Sequence, residues 1–198
     1  MLQETFYALA DEYHLPAKSL WDKLTARYNE PGRYYHTLHH LENMLAELQP
    51  VSALLENEHA VLFALYYHDV IYDAQKKDNE ARSAALAAKN LHTLPPALVA
   101  RCEQHILATR QHTWQADMDT NYFTDADLCI LGQPWEVYAT YAANVRKEYH
   151  MYPDLLYKPG RKKVLQHFLQ MERIFKTAYF HEKYETTAKA NLQRELAG

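Results

Sequence analysis

The sequence predicts an all-α fold, and three observations carry that prediction. Gly is rare, with 4 in 198 residues. Apolar residues recur at helical spacing over long stretches. Runs of β-branched residues are few. A chain of this length fits one domain, and a hydrophobic fraction of 48% can fill its core. No internal repeat, low-complexity tract or linker interrupts it, so residues 1–198 read as a single helical domain.

The elements follow in order. Residues 2–29 read as one or two helices, with Phe6, Leu9, Leu20, Trp21, Leu24 and Tyr28 apolar. Pro31-Gly32 marks a turn. The next helix spans about His36 to Gln49 and stops at Pro50, and a buried helix follows from about Asn57 to Asp69. After the polar loop "DAQKKDNE", Asp78 is placed to cap the helix containing "ARSAALAAKNLH". Pro95 and Pro96 open a helix that runs to about His112. "QADMDTNYF" reads as a loop, and "TDADLCILG" as a short helix stopped by Gly132. A helix over "PWEVYATYAANVRKEYHMY" precedes the turn "KPG", and a long helix or helix pair closes the chain.

Composition excludes several classes. The net charge is −4 with no basic block, which disfavours binding to a nucleic-acid polymer. A small anionic ligand held by a few Arg and Lys remains compatible. Two cysteines without a CxxC argue against a disulfide framework or a cysteine zinc site, and a reduced cytoplasm is the simplest compartment. The N-terminal stretch lacks the pattern of a signal peptide, and no apolar run is long enough to span a membrane. The apolar, Tyr-rich C-terminal helices suit either a homodimer contact or packing within one chain.

The chain holds 12 His, and helix geometry sorts them. In "YYHTLHHLENMLAELQ", Leu38, Leu41, Met44, Leu45 and Leu48 share one arc that must face the core. His39 points to the opposite side, toward solvent. His40 borders the arc, and His36 precedes it by one turn. In "EHAVLFALYYHDVIYD", Val61, Ala64, Leu65 and His68 share a face, with Asp69 about 100° around the helix. Asp127 directly precedes the apolar run "LCIL" and reads as a cap or an inward ligand. Together His40, His68, Asp69 and Asp127 form a His, His, Asp, Asp set on three helices. Such N/O ligation suits a divalent metal ion such as Mn, Fe, Zn, Ni or Mg.

This ordered pattern resembles the H…HD…D signature of the HD-domain superfamily of metal-dependent phosphohydrolases. More narrowly, the chain resembles a subgroup of small predicted members. The blocks are "RYYHTLHHL" (33–41), "ALYYHDVIYD" (64–73), "DNEARSA" (78–84), "ILATRQH" (106–112), "TDADLCILG" (124–132), "VRKEY" (145–149) and "GRKKVL" (160–165), with the helices of 160–197 packed on the core. The resemblance implies a helical bundle with the metal at its centre, held by His40, His68, Asp69 and Asp127. It also implies hydrolysis of a phosphomonoester or phosphoanhydride, with nucleotides the favoured class, in which Asp69 could bridge to the attacking water.

Other residues carry two readings each. Glu80 is a general base or a carboxylate favoured by the helix N-terminus. His36 is a neighbour of the substrate or a packing residue at the helix entrance. His105 and His112, seven apart on one helix, are further ligands or bystanders, with His112 the better placed. Asp125 reads as an N-cap. Arg33 is the first choice for a phosphate contact and Arg146 the second, with Arg161, Lys76, Lys77, Lys162 and Lys163 as further options. Tyr35, Tyr67, Tyr72 and Tyr149 read chiefly as core residues whose hydroxyls find partners. Two rival functions stay open. Some HD proteins hold two irons and act as oxygenases, which requires extra histidines such as His92, His105 or His112. A non-catalytic metal- or nucleotide-binding module is the other.

Overall fold

The computed structural model describes residues 1–198. Ten α-helices run in order: α1 (Leu2–Glu12), α2 (Ala17–Tyr28), α3 (Leu38–Leu48), α4 (Glu58–Tyr67), α5 (Asn79–Asn90), α6 (Pro96–Ala108), α7 (Met118–Leu128), α8 (Trp135–Glu148), α9 (Asp154–Gln170) and α10 (Ala178–Ala197). Short 3-10 turns follow α3 and α7, and there is no strand. The all-α prediction holds. No helix is long and apolar enough to cross a membrane.

The centre of the molecule is α4. From Ala60 to Tyr67 every residue except Leu62 is buried, because the sequence places polar residues only at its start. Asn57 caps that start, its side chain accepting the Ala60 N–H at 2.9 Å. Helices α3, α5, α6 and α7 pack around it. The buried tyrosines find acceptors: Tyr28 donates to the Tyr66 carbonyl at 3.1 Å, and Tyr66 to the Leu2 carbonyl at 2.9 Å. One core of 41 buried residues runs from Leu2 in α1 to Leu192 in α10.

Several boundaries differ from expectation. α3 begins at Leu38, so His36 lies in the bend before it. α6 ends at Ala108, and His112 sits beyond it with φ 52°, so His105 and His112 do not share a helix face. Asp78 occupies the cap position of α5 but makes no side-chain cap bond. The expected loop at 115–123 is mostly helix: Asp117 caps α7 by accepting the Thr120 N–H at 3.1 Å. Two of its buried acids serve other segments. Asp119 accepts the N–H groups of Glu56 and Asn57 at 2.9 and 2.8 Å. Asp125, expected at a helix start, lies inside α7. It caps α10 from there, accepting the Lys176 and Thr177 N–H groups at 2.9 and 2.8 Å. The "KPG" triplet is no turn, since α9 continues through Pro159.

Gly132 ends the turn after α7 for a reason other than a left-handed cap. A Cβ there would lie 2.5 Å from the Tyr184 Cβ of α10, so only glycine lets the two backbones approach. Gly132→Ala is expected to destabilise the fold by about 1–3 kcal/mol through overpacking, read as a lower urea midpoint with an unchanged slope.

Candidate metal centre

Three helix ends bring the four predicted ligands together. His40 enters from the first turn of α3 and is buried. His68 is the C-cap of α4 and keeps helical φ and ψ, which turns its ring inward. The helix stops there, so Asp69 is free of the 100° separation that a continuing helix would impose. Asp127 reaches in from the last turn of α7.

The donor atoms are close. His40 Nε2 lies 3.2 Å from His68 Nε2 and 3.1 Å from Asp127 Oδ1. His68 Nε2 lies 3.1 Å from Asp69 Oδ2 and 3.8 Å from Asp127 Oδ1. His40 Nε2 and Asp69 Oδ2 are 3.8 Å apart. Metal–ligand bonds of about 2.0–2.2 Å place neighbouring donors roughly 3.0–3.6 Å apart; the three pairs at 3.1–3.2 Å match that spacing, and the two at 3.8 Å exceed it slightly. The chemistry fits as well. His68 Nδ1 faces the Leu65 carbonyl at 3.0 Å, an acceptor only, so Nδ1 carries the ring proton and Nε2 offers its lone pair. His68 Nε2 and the two carboxylates are therefore acceptors, and a proton or a cation among them relieves their repulsion. His40, His68 and Asp69 form a group able to hold a metal ion; Asp127 adjoins it through the two histidines but lies outside that group.

The shifts of these groups report the same tension. Burial disfavours charge at His68, yet Asp69 and Asp127 outweigh it and raise its pKa to about 9. Burial prevails at His40, whose pKa is lowered despite Asp127. Burial opposes ionisation of Asp69 and Asp127, but the surrounding imidazoles hold both well below the usual carboxylate range.

A second group flanks the cluster. His36 Nε2 stands 4.0 Å from Asp69 Oδ2, while its Nδ1 meets Glu148 Oε2 at 2.7 Å. The ring stacks on Tyr72, whose hydroxyl donates to the same carboxylate at 3.0 Å. The other oxygen of Glu148 accepts the backbone N–H groups of Tyr34, Tyr35 and His36 at 2.7–3.0 Å. Glu148 is a site residue that the sequence reading misses, although the block containing it is recognised. Tyr138, Tyr141, Val145 and Glu148 recur every three or four residues on α8, and that spacing is the signal that places the acid on the inward face.

The remaining residues divide. His112 joins the site, its Nε2 2.8 Å from Asp127 Oδ2. Glu80 lines the cleft above it. Arg33 lies beside the site but faces away from it: its guanidinium donates to the carbonyls of His36, Asp69 and Val70 at 2.7–3.1 Å, fastening the bend before α3 to the end of α4. Arg146 is tied to Asp154 and to the carbonyls of Tyr149 and Tyr152. Neither guanidinium faces the cluster. The cations along the cleft are Lys76, Lys163 and Arg110, the last not singled out in the sequence. His105 is buried on Thr120 at 2.8 Å, and burial lowers its pKa to about 4. His92 bonds the Lys89 carbonyl on the surface.

No family model, curated protein or solved structure matches this chain.

Proposed function

We propose that this protein is a metal-dependent phosphohydrolase of the HD type, acting on a phosphomonoester or phosphoanhydride. One observation carries the reading. Buried His40 and His68 meet Asp69 and Asp127, and these two carboxylates line a cleft of about 540 Å³ together with Lys76, Arg110 and Lys163. A divalent ion held there supplies Lewis-acid activation of water and of a phosphoryl oxygen. The three cations neutralise the phosphate and orient it. His36 presents Nε2 beside Asp69, its Nδ1 proton held by Glu148. Glu80 has no side-chain hydrogen bond in the fold and is placed on the cleft wall to take up a proton from water.

A screen of phosphomonoesters and anhydrides with Mn²⁺, Mg²⁺, Zn²⁺, Ni²⁺ and Fe²⁺ tests this. Turnover of at least one substrate class is expected, with kcat/KM lowered roughly 10²–10⁴-fold in Asp69→Asn while circular dichroism is unchanged. Absence of turnover across the panel, or full activity in the variant, defeats the reading.

A di-iron oxygenase is the second reading, and one observation favours it. His112 on Asp127 and His36 beside Asp69 bring two further imidazoles to the same cleft, whereas His92 and His105 do not reach it. Two tightly held irons per chain in the purified protein select this alternative.

A further inference from the structure

The cleft has a neighbour. A second cavity of about 370 Å³ adjoins it, and Val145, Tyr149 and Val164 line both. Ala74, Tyr152, Leu156 and Tyr157 extend the apolar wall. On α9, Tyr157, Arg161, Val164 and Phe168 recur at three- and four-residue spacing, so one face of that helix borders both cavities in turn. The helix buries only Leu165 of its 17 residues. A helix held only for stability buries a broad apolar stripe, yet α9 leaves Leu156 62% and Val164 45% exposed. The single charged residue of the groove is Arg161, and Glu195 already binds it through two contacts of 2.8 and 2.9 Å. The groove therefore offers apolar and aromatic surface and no free charge, directly beside the cleft that carries Lys76, Arg110 and Lys163.

We propose that the substrate is a phosphomonoester of an apolar alcohol, its phosphate over the metal cluster and its hydrocarbon or aromatic portion in this groove. The phosphate end rests on the phosphohydrolase reading, and the apolar end on the groove alone. The two cavities lie side by side, with Val145, Tyr149 and Val164 in the walls of both. Pockets of this size take most of a small ligand, with a few polar groups fixing its orientation.

Binding without turnover separates the two parts. Methyl-, butyl- and octylphosphonate carry the same anionic head and differ only in apolar length. Calorimetric titration of the purified protein, with Mn²⁺ in excess, is expected to show affinity rising with length. The gain is roughly two- to fourfold for each methylene that enters the groove, and at least tenfold from methyl to octyl. Leu156 lines the groove but not the cleft, and it is exposed enough to be replaced without disturbing the core. Leu156→Asp is expected to cut the octyl-to-methyl ratio severalfold. An affinity independent of length, or a ratio unchanged in the variant, overturns the groove assignment and leaves the phosphohydrolase reading standing. Failure of all three phosphonates to bind overturns the phosphate cleft itself, and the substrate assignment with it.

Discussion

If the candidate centre holds a divalent metal as proposed, replacing His68 by alanine is expected to abolish its binding. His68 is the hinge of the cluster, within 3.2 Å of His40 and 3.1 Å of Asp69. Its orientation is fixed by the bond from Nδ1 to the Leu65 carbonyl. Altering partners that merely orient a ligand costs 10–100-fold in metal affinity, so removal of a donor is expected to cost more than 100-fold. Elemental analysis after gel filtration reads this directly. Thermal denaturation reads it again: a metal at about 1,000 times its dissociation constant stabilises a fold by about 4 kcal/mol, and that increment should vanish in the variant. His39→Ala is the control. It lies one residue from His40 on the solvent face of α3, its side chain 77% exposed, and should change neither measurement. Metal content preserved in His68→Ala refutes the assigned centre.

The contrast between His39 and His40 also shows what a sequence discloses. Helical periodicity tells which way a side chain faces, so the arc of Leu41, Met44, Leu45 and Leu48 is enough to place His40 inward and His39 outward. Periodicity says nothing about which distant segment a side chain meets. Asp119 caps a helix 62 residues away, Asp125 caps one 52 residues away, and Glu148 binds backbone 112–114 residues away. Each of these acids lowers the local apolar pattern while being held inside by remote N–H groups. That is why the first half of α7 has the sequence character of a loop, and why Glu148 does not stand out from its neighbours. Arg33 illustrates the same limit from the other side. Its proximity to His36 is legible in the sequence, but its attachment to the Asp69 and Val70 carbonyls is not. His112 belongs with these cases, because a single residue in the left-handed region, φ 52°, swings it from α6 to Asp127.

Glu148 is expected to contribute to the acid sensitivity of the protein's stability, and Glu148→Gln to reduce it. The carboxylate is buried and accepts three backbone N–H groups, the His36 ring and the Tyr72 hydroxyl. Burial opposes its ionisation, but these donors prevail and draw its pKa down to about 2. An unfolded glutamate titrates at about 4.3. The folded pKa is thus below the unfolded one, so this contribution is complete above about pH 5 and is lost as pH falls from there through about 2. The difference corresponds to roughly 3 kcal/mol. His36 acts in the opposite sense. Burial lowers its pKa, but Asp69 and Glu148 more than compensate and raise it, so its contribution is present below about 6.5 and fades as pH rises through the higher folded value. The metal-free protein should therefore be most stable between about pH 5 and 6.5. Urea unfolding across about pH 2–8 measures both limbs. In Glu148→Gln the acid limb should flatten while the midpoint near neutral pH falls, because an amide cannot accept on both sides of the bend. Glu148→Ala leaves the three N–H groups without an acceptor and the His36 ring without its partner, and should cost about 3–5 kcal/mol. An acid limb of equal steepness in wild type and Glu148→Gln would assign the sensitivity to other carboxylates. With Glu148 in place, the bend carrying His36 is bound to the end of α8. Loss of that bond should also free the ring from Asp69, so the variant tests whether the region beside the candidate metal centre is held by α8 or by α4 alone.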